Sequence, residues 1–385
     1  MYYLDNAATT FPKPQRVNEL LRNIANNGVV SPGRGSHAMA HKASDAVSHV
    51  RTVLARFFGA LDSSSVALCF SATDALNLGL KGFLNDGDHV IISSMEHNSV
   101  LRPLRAMEYR GFISLDIVQC DENGCLDPEQ IINRFNKNTK LVVISHASNV
   151  TGAIQPVEII GKTVRERGAY LLVDAAQSAG ILRINIEEMF IDMLAFTGHK
   201  SIYGLQGTGG LVIGSRIKSL RPFREGGTGL NSISEFQPNE WPETFEAGTP
   251  NVPGILSMGE GLAFIEETGL EAIRKKGAEQ LDYLWSELSG IDGINLYGPQ
   301  PGENRISVLS FNLNNWEPGD VGSILNHNHG IYVRTGLHCS PLAHQTLDTY
   351  PAGTVRLSPG FFTQDSEIET AVKAIRTIAR TLLPY

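Results

Sequence analysis

Long apolar runs, blocks of basic residues and cysteines are all scarce in this sequence of 385 residues. No uninterrupted apolar stretch approaches the ~20 residues that a membrane-spanning helix needs. The N-terminus, Met-Tyr-Tyr-Leu-Asp-Asn, has neither the basic start nor the apolar core of a secretion signal. We therefore expect a cytoplasmic protein that has no membrane partner.

The shortage of basic blocks and of cysteine restricts the chemistry further. With 32 basic against 40 acidic residues the net charge is −8, which favours solubility and argues against nucleic acid as a main partner. Four cysteines (Cys69, Cys120, Cys125 and Cys339) are too few for a disulfide framework at this length. Cys120 and Cys125 lie close together, but no second pair completes a four-cysteine zinc site. The 42% hydrophobic content is typical of a globular protein, and the length allows two domains.

What the sequence does contain is an alternation of short apolar runs with amphipathic runs, from Pro14 to about Gly214. The amphipathic runs predict helices such as 99–110, 127–135 and 157–167. The apolar runs predict seven strands, at 66–70, 89–93, 114–118, 139–145, 170–174, 193–197 and 210–214. Strands separated by helices indicate an α/β fold whose mostly parallel sheet is covered on both faces.

The rest of the chain predicts a smaller α+β domain. Residues 221–253 are rich in Gly, Pro, Asn and Ser and show little periodicity, so a long functional loop or a domain crossing is expected there. Beyond them the patterns predict helices at 256–267, 270–288 and 365–383 and strands at 306–313, 331–335 and 354–357. We therefore divide the chain into a large domain over 14–256 and a small domain made of 1–13 and 257–385.

Polar residues at the ends of the apolar runs are candidates for a site, because ligands in open parallel sheets bind at the carboxyl ends of strands. Asp174 ends one predicted strand and could either cap the next turn or face a cationic ring nitrogen. His97 follows another strand and could stack on a flat ligand, although such a histidine is more often a polar loop residue. Ser71-Ala72-Thr73-Asp74 opens a helix, so its hydroxyls and free N–H groups suit either ordinary N-capping or a phosphate.

Lys200 has the most distinctive setting of these candidates. It follows Thr197-Gly-His199 between two apolar strands and precedes a glycine-rich run that would let the backbone approach a ligand closely. A lysine that bonds covalently to a carbonyl needs a neutral amine, and burial lowers its pKa. Together the candidates supply a Schiff-base lysine, an acid, a phosphate site and a ring-stacking group. Pyridoxal phosphate requires this set, because its ring is an electron sink only while its nitrogen stays protonated.

These motifs resemble the class V aminotransferase family, specifically its cysteine desulfurase and selenocysteine lyase branch. The resemblance runs from Tyr3-Leu-Asp-Asn-Ala-Ala-Thr9 to the last helix. Its most specific motifs are Leu172-Val-Asp-Ala-Ala-Gln177, Gly198-His-Lys200, Phe245-Glu-Ala-Gly-Thr-Pro-Asn251 and Arg334-Thr-Gly-Leu-His-Cys339. It implies a homodimeric, pyridoxal phosphate-dependent enzyme of fold type I, with the large and small domains of aspartate aminotransferase. The short stretch before the cysteine resembles the group II members.

The resemblance also implies roles for the residues that bind the cofactor ring. It makes Lys200 the Schiff-base lysine and Asp174 the partner of the ring nitrogen. Gln177 would contact the phenolic oxygen of the cofactor. His97 would stack on the ring and could shuttle protons.

Further residues are implied for the phosphate and for the substrate. The phosphate contacts would be Ala72, Thr73, Thr197 and His199, with Thr249 donated by the other subunit. Asn149 would lie near the cofactor and the substrate carboxylate. Arg356 would pair with that carboxylate, since a guanidinium binds it in bidentate fashion, and Arg334 is the second candidate.

Cys339 is implied as the nucleophile, and its Gly, His, Ser and Pro neighbours make an unlikely core for a buried cysteine. His338 and Arg334 could lower the pKa of its thiol. The preferred hypothesis is a cysteine desulfurase. Lys200 moves the α-proton of L-cysteine, and the Cys339 thiolate attacks the substrate sulfur. The products are alanine and a persulfide on Cys339, which passes to an acceptor protein.

Three alternatives stay open. Selenocysteine lyase, or another lyase or aminotransferase of class V, would use the same scaffold. Both the segment after Cys339 and the Ser-Ala-Thr phosphate turn depart from the family pattern, which bears on substrate preference and on the acceptor. A nucleotide-binding protein is disfavoured because no G-x-G-x-x-G follows the first strands. A metal-binding module is disfavoured by the irregular spacing of the four histidines His327, His329, His338 and His344.

Overall fold

The computed structural model describes residues 1–33, 37–229, 233–302 and 304–381. In that part of the chain the strands are β1 (Tyr2–Tyr3), β2 (Val66–Cys69), β3 (Asp88–Ser93), β4 (Ile113–Val118), β5 (Thr139–Ser145), β6 (Tyr170–Asp174), β7 (Met193–Thr197), β8 (Gly209–Ile213), β9 (Ile294–Tyr297), β10 (Leu309–Leu313), β11 (Ile331–Tyr332), β12 (Arg334–Gly336) and β13 (Thr354–Leu357). The helices are α1 (Gln15–Asn27), α2 (Ala38–Phe58), α3 (Ala72–Phe83), α4 (Asn98–Tyr109), α5 (Pro128–Ile132), α6 (Val157–Glu166), α7 (Val252–Thr268), α8 (Leu270–Ser289), α9 (Pro318–His329), α10 (Pro341–Thr346) and α11 (Asp365–Arg380).

Seven strands form one large sheet in the order β2-β8-β7-β6-β5-β3-β4. Neighbours from β7 to β4 are parallel, whereas β8 runs antiparallel to both β7 and β2. The prediction of an α/β fold with a mostly parallel sheet is therefore confirmed. The parallel strands end at a common edge of the sheet, which brings the segments that follow them together.

Helices cover both faces of this sheet, as continuous apolar strands require. Alternate residues of β6 divide between two hydrophobic clusters: Leu171 and Val173 belong to one, and Leu172 to the other. The first cluster also contains apolar residues of α2, α5, α6 and α7. The second contains those of α3 and α4. Burial of these side chains is the main stabilising term for the sheet.

A smaller antiparallel sheet has the order β12-β13-β10-β9. It shares a hydrophobic cluster with residues of α8, α9 and α11 and with Leu4 from the start of the chain. The N-terminal strand β1 pairs in parallel with β11, with Tyr2 opposite Ile331. The division into large and small domains stays a prediction; Met258 and Leu262 of α7, beyond its boundary at 256, pack in the cluster of the large sheet.

Besides shifts of one to four residues at the ends of other elements, three predicted elements differ more from the observed ones. The strand predicted at 306–313 begins only at Leu309, because Ile306 N–H donates instead to the carbonyl of Gly152 in a loop. The strand predicted at 331–335 is two strands, β11 and β12, which pair with β1 and β13 respectively. The helix predicted at 127–135 is the shorter α5. None of the helices in the described ranges combines the length and the apolar composition needed to cross a bilayer.

The turn after β7, which carries Lys200, is packed tightly against α7. Gly261 allows this contact, because a Cβ there would overlap the carbonyl oxygen of Ile202. A Cβ at Gly198 or Gly204 would collide with the side chain of Met258. The missing side chains therefore let helix and turn approach each other at backbone distance.

Candidate active site

An open cleft of about 530 Å³ lies where the carboxyl ends of the parallel strands meet. Nine of the residues predicted from the sequence line it: Ala72, Thr73, His97, Asn149, Asp174, Gln177, Thr197, His199 and Lys200. Cys339 lies in an adjoining groove, which it shares with His97 and Thr73. The structure thus brings together residues that are far apart in the sequence.

Lys200 is half-buried, and its amine lies deep in the cleft. Burial lowers the pKa of this amine to about 8, partly opposed by the nearby carboxylate of Asp174. Its turn is held by the N-terminal segment: Thr10 Oγ1 donates to the carbonyl of Lys200 at 2.7 Å, and Lys13 Nζ to that of His199 at 2.7 Å. About a tenth of an amine with this pKa is neutral at pH 7, far more than for an ordinary lysine, as a carbonyl-reactive lysine needs.

Asp174 lies at the end of β6 and is buried. Its Oδ1 accepts a hydrogen bond from the N–H of Ala176 at 2.9 Å, so the carboxylate does cap the following turn. Burial raises its pKa, while the Ala176 N–H and the charge of Lys200 lower it. Asp174 thus caps the turn and also lines the cleft, so its two roles suggested by the sequence do not exclude each other.

The N-terminus of α3 faces the cleft. Ser71 Oγ caps this helix by accepting from the N–H of Asp74 at 3.1 Å, and Ala72 and Thr73 form its first turn. The Thr73 hydroxyl lies 2.7 Å from Ser99 Oγ, whose oxygen is 2.9 Å from His97 Nδ1. Unsatisfied N–H groups at the positive end of a helix, with these hydroxyls beside them, form a site for an anion.

His97 is the N-cap of α4. The Ser99 N–H donates to its Nδ1 at 3.1 Å, so Nδ1 is an acceptor and a neutral ring carries its proton on Nε2. Burial, together with the charge of Lys200, lowers the pKa of His97 to about 4. The imidazole is therefore neutral and fixed in orientation near pH 7.

Other predicted cofactor contacts are tied to neighbouring backbone. Gln177 Nε2 donates to the carbonyl of Ala7 at 3.0 Å, and Thr197 Oγ1 to that of Thr208 at 3.2 Å. The His199 Nδ1 lies 3.0 Å from Thr9 Oγ1, and burial lowers the pKa of this histidine to about 4. The N-terminal segment thus holds two of the side chains that line the cleft, Gln177 and His199.

Asn149 holds the turn that carries Cys339. Its Nδ2 donates to the carbonyl of His338 at 2.7 Å, and its Oδ1 accepts from Ser340 Oγ at 2.8 Å. The carbonyl of Cys339 itself accepts from the N–H of Asn98 at 2.7 Å. His338 and Cys339 have positive φ values of 49° and 59°, which non-glycine residues seldom adopt. Surrounding hydrogen bonds therefore hold a strained turn in place.

Arg334 is the charged neighbour of the exposed Cys339, with Nη2 3.6 Å from Sγ. His338 does not supply a second charge: its ring is buried, its Nε2 lies 3.1 Å from Thr354 Oγ1, and burial lowers its pKa to about 2. The imidazole of His338 is therefore neutral near pH 7, and its effect on the pKa of the Cys339 thiol stays a prediction.

Arg356 is fully buried and pairs with a residue that the sequence did not suggest, Asp5. Its Nη2 donates to Asp5 Oδ1 at 2.7 Å and its Nη1 to the carbonyl of Asn149 at 3.0 Å. Nε has no partner within the described residues. Arg334 lies directly opposite Arg356 across β12 and β13, and its positive charge adds to burial in lowering the pKa of Arg356. Neither arginine is among the residues that line the cleft, but the unpaired Nε of Arg356 leaves a donor that a second carboxylate could take.

Two further buried groups lie behind the cleft. Glu96 Oε1 accepts from Ser93 Oγ at 2.6 Å and from the N–H of Ser145 at 3.0 Å. Burial raises the pKa of Glu96 to about 8, so it is mostly protonated at pH 7 and adds little negative charge beside Asp174. Burial also lowers the pKa of His146 to about 4. The sequence could have pointed to Glu96 as the neighbour of His97. That its carboxyl group lies away from cations follows only from the tertiary structure.

Thr249 is exposed and lies outside this cleft, in a separate depression beside Phe70 and Arg224. The four histidines of a possible metal-binding module do not form one cluster. His327 and His329 are on α9, while the rings of His338 and His344 lie 5.5 Å apart in the interior. Within the described ranges no three His, Cys, Asp or Glu side chains converge as metal ligands would.

The pKa of Lys200 leads to a test on the cofactor-free protein. The neutral amine is the nucleophile, so labelling of Lys200 by trinitrobenzenesulfonate should rise with pH to a midpoint near 8, where half is neutral. Asp174→Asn removes a charge that raises this pKa and should move the midpoint lower. Mass spectrometry of brief labelling pulses gives the profile. A midpoint at ~10.4, as for an unperturbed lysine, would contradict the assignment.

Comparisons with known proteins agree with this geometry. The model of the family described as Aminotransferase class-V matches residues 2–370. A probable cysteine desulfurase of Methanothermobacter thermautotrophicus is 33% identical over 382 residues, covering 98% of this chain and 94% of its own. A cysteine desulfurase of Escherichia coli strain IAI39 is 31% identical over 389 residues, covering 99% and 94%.

A solved structure gives the same result for the fold. The apo cysteine desulfurase from Thermococcus onnurineus superimposes with a TM-score of 0.93 at 31% identity, over 99% of this chain and 95% of the other. The predicted fold type I is confirmed. The chain therefore belongs to the class V aminotransferase family, whose members are pyridoxal phosphate-dependent enzymes.

Proposed function

We propose that this enzyme is a cysteine desulfurase, which converts L-cysteine to L-alanine and leaves the sulfur as a persulfide on Cys339. The observation that carries the proposal is the position of Cys339, exposed on a strained turn at the rim of the Lys200 cleft with a guanidinium 3.6 Å from its sulfur. The names of the relatives in archaea and bacteria support it. Aminotransferases of this fold need no such thiol, so its placement favours desulfuration.

The residues of the cleft fit pyridoxal phosphate. The first turn of α3, with Ala72 and Thr73, suits the phosphate, and His199 and Thr197 lie near it in the same cleft. Asp174 suits a protonated ring nitrogen, since a buried carboxylate is stabilised by a cation. When bound, the cofactor supplies an electron sink that makes the α-proton of an amino acid acidic.

Three side chains have proposed roles at the cofactor ring. Neutral His97, fixed through Nδ1, would stack on the cofactor ring and would exchange a proton at Nε2. Gln177 donates toward the N-terminal segment and would turn its amide to meet the phenolic oxygen. Lys200, once its amine is free and neutral, accepts the α-proton of the substrate.

The substrate carboxylate is assigned to Arg356. Asp5 and the Asn149 carbonyl fix two of its nitrogens, which orients the remaining donors before substrate arrives. This arrangement reduces the entropy lost on binding. With the carboxylate fixed, the thiolate of Cys339 would form a bond to the substrate sulfur as the C–S bond breaks. The electron pair of that bond would stay with the β-carbon, which takes up a proton and becomes the methyl group of alanine. Arg334 then stabilises the anionic persulfide.

Cys339→Ser tests the proposed nucleophile. The serine hydroxyl is hardly ionised near neutral pH and cannot hold a persulfide, so alanine release from L-cysteine should fall about a thousandfold or more. Binding of cofactor and of L-cysteine, measured from absorbance changes, should be retained. Alkylation and mass spectrometry of the wild type should find persulfide only on Cys339. Cys125→Ser, which removes a thiol outside the cleft, is the matched control and should stay active. Desulfuration by Cys339→Ser at the wild-type rate would assign the enzyme to another branch, such as selenocysteine lyases.

Arg356→Lys tests the carboxylate site. Lysine keeps the charge that Asp5 requires in this buried pair but loses the planar set of donors. The L-cysteine concentration for half-maximal rate should rise about 10- to 100-fold, as expected for losing ~1.5–3 kcal/mol of charged hydrogen bonding. Tm and cofactor content should stay near wild type, which separates a binding defect from misfolding. Unchanged saturation by L-cysteine would move the carboxylate to Arg334.

The proposal includes a homodimer in which Thr249 reaches the phosphate of the neighbouring cleft. Thr249 lies outside the cleft of its own chain. Phe70, which lines the same depression as Thr249, is 42% exposed, and a partner subunit seated there would cover it.

Hybrid dimers test this arrangement. Thr249→Ala should weaken cofactor affinity about tenfold or more, since a hydrogen bond to a charged group contributes ~1.5–3 kcal/mol. Mixing Thr249→Ala with Lys200→Ala chains should restore one native site, because the intact lysine then meets the intact threonine of the partner. The control mixture combines wild type with a chain that carries both Lys200→Ala and Thr249→Ala. Its hybrid dimer should contain no site of native affinity, because the intact lysine then meets the altered residue 249 of the partner. Cofactor titration measures the affinity. If the control mixture and not the first one gives a native hybrid site, Thr249 acts in the cleft of its own chain.

Two further expectations concern the sulfur acceptor and the location of the protein in the cell. A protein that accepts the persulfide sulfur is needed for turnover unless a small thiol serves. The cytoplasmic location stays a prediction from the sequence, to be checked by cell fractionation.

A further inference from the structure

A basic groove runs from Cys339 along the surface between α3 and α4. Cys339 and His97 line its inner end, and Lys81, Arg102 and Arg110 line the part farther from the cleft. The groove has a volume of about 980 Å³ and is open to solvent. It is therefore much larger than an amino-acid substrate requires.

The charges in this groove are not balanced by the protein. Lys81, Arg102 and Arg110 are exposed, and within the described ranges none of them makes an ion pair. No Asp or Glu is among the residues lining the groove. By contrast Arg105, also on α4 but outside the groove, pairs with Glu108. Three uncompensated cations next to the exposed thiol stand out on a chain whose net charge is −8.

We propose that this groove binds the acidic surface of the protein that takes sulfur from Cys339. The inference rests on the proposed function, because only a persulfide on Cys339 needs a macromolecular acceptor there. Charge complementarity selects the occupant: a partner with carboxylates around its acceptor thiol would meet the three cations, and a basic partner would be repelled. Cys339 at the inner end would then face that thiol.

The transfer is balanced without a further redox partner. The acceptor thiolate attacks the outer sulfur of the Cys339 persulfide and forms a new S–S bond. The original S–S bond breaks, and its electron pair leaves with Cys339 as thiolate. The attacking thiol loses its proton to solvent, and the enzyme returns to the state that reacts with the next substrate.

The experiment uses holoenzyme loaded with persulfide by L-cysteine and two peptide thiols as probes, Glu-Glu-Cys-Glu-Glu and Lys-Lys-Cys-Lys-Lys. At low ionic strength the acidic peptide should take the sulfur at least about tenfold faster per unit concentration. The difference should shrink at 1 M salt, where the Debye length is about 3 Å. β-Mercaptoethanol, which is small and neutral, gives the rate without charge recognition.

Charge reversal shows whether the groove is responsible. Arg102→Glu with Arg110→Glu should abolish or invert the preference for the acidic peptide while leaving alanine release with β-mercaptoethanol unchanged. Arg105→Glu is the matched control: it reverses a charge of the same helix outside the groove and should keep the preference.

The outcomes separate this inference from the function on which it rests. If no persulfide forms on Cys339 before peptide is added, the proposed desulfurase fails and the docking inference fails with it. If persulfide forms normally but transfer ignores peptide charge, or if Arg105→Glu changes the preference as much as the groove variant, only the groove is rejected. A groove variant that no longer dimerises in sedimentation would also overturn the inference, because the second subunit would then occupy this surface.

Discussion

The organisation of the cleft depends on keeping the amine of Lys200 buried and partly neutral. Burial alone lowers the pKa, but a neighbouring carboxylate raises it, so the negative charge near the amine must be limited. Asp174 supplies one such charge. Protonated Glu96 adds little, and His97 and His199 are neutral. The cleft therefore has one lysine and one carboxylate as its principal opposed charges, a balance that a cationic ring nitrogen would complete.

The N-terminal segment connects this electrostatic site to the rest of the molecule. Its first residues pair with β11, its middle supplies Asp5 to Arg356, and its end holds the Lys200 turn through Thr10 and Lys13. On the opposite side the turn rests on α7 at backbone distance. Because the turn is held on two sides, the long side chain of Lys200 can adopt fewer conformations. Its amine is therefore kept in position to react with the carbonyl of a cofactor.

Elements buried on both faces could be predicted from the sequence, and contacts between distant segments could not. The strands 139–145, 170–174 and 193–197 were predicted to the residue, because a continuous apolar run ends where a polar side chain enters the cleft. The split at Val333 was missed, since it depends on which strand each half pairs with. Asp5 was missed because its partner lies 351 residues away. Ser99 was also missed, because its link between His97 and Thr73 exists only where α4 packs beside α3.

The turn of Cys339 bears on both steps of the proposed function. In that proposal the nucleophile reaches into the cleft, and the persulfide must afterwards be accessible to a second protein. His338 and Cys339 adopt left-handed conformations that cost free energy, and the amide of Asn149 holds the turn from both sides. This places the thiol at the boundary between cleft and groove, beside Arg334. In the proposed function this position would serve both steps, because a sulfur held at the boundary can face a substrate in the cleft and an acceptor in the groove.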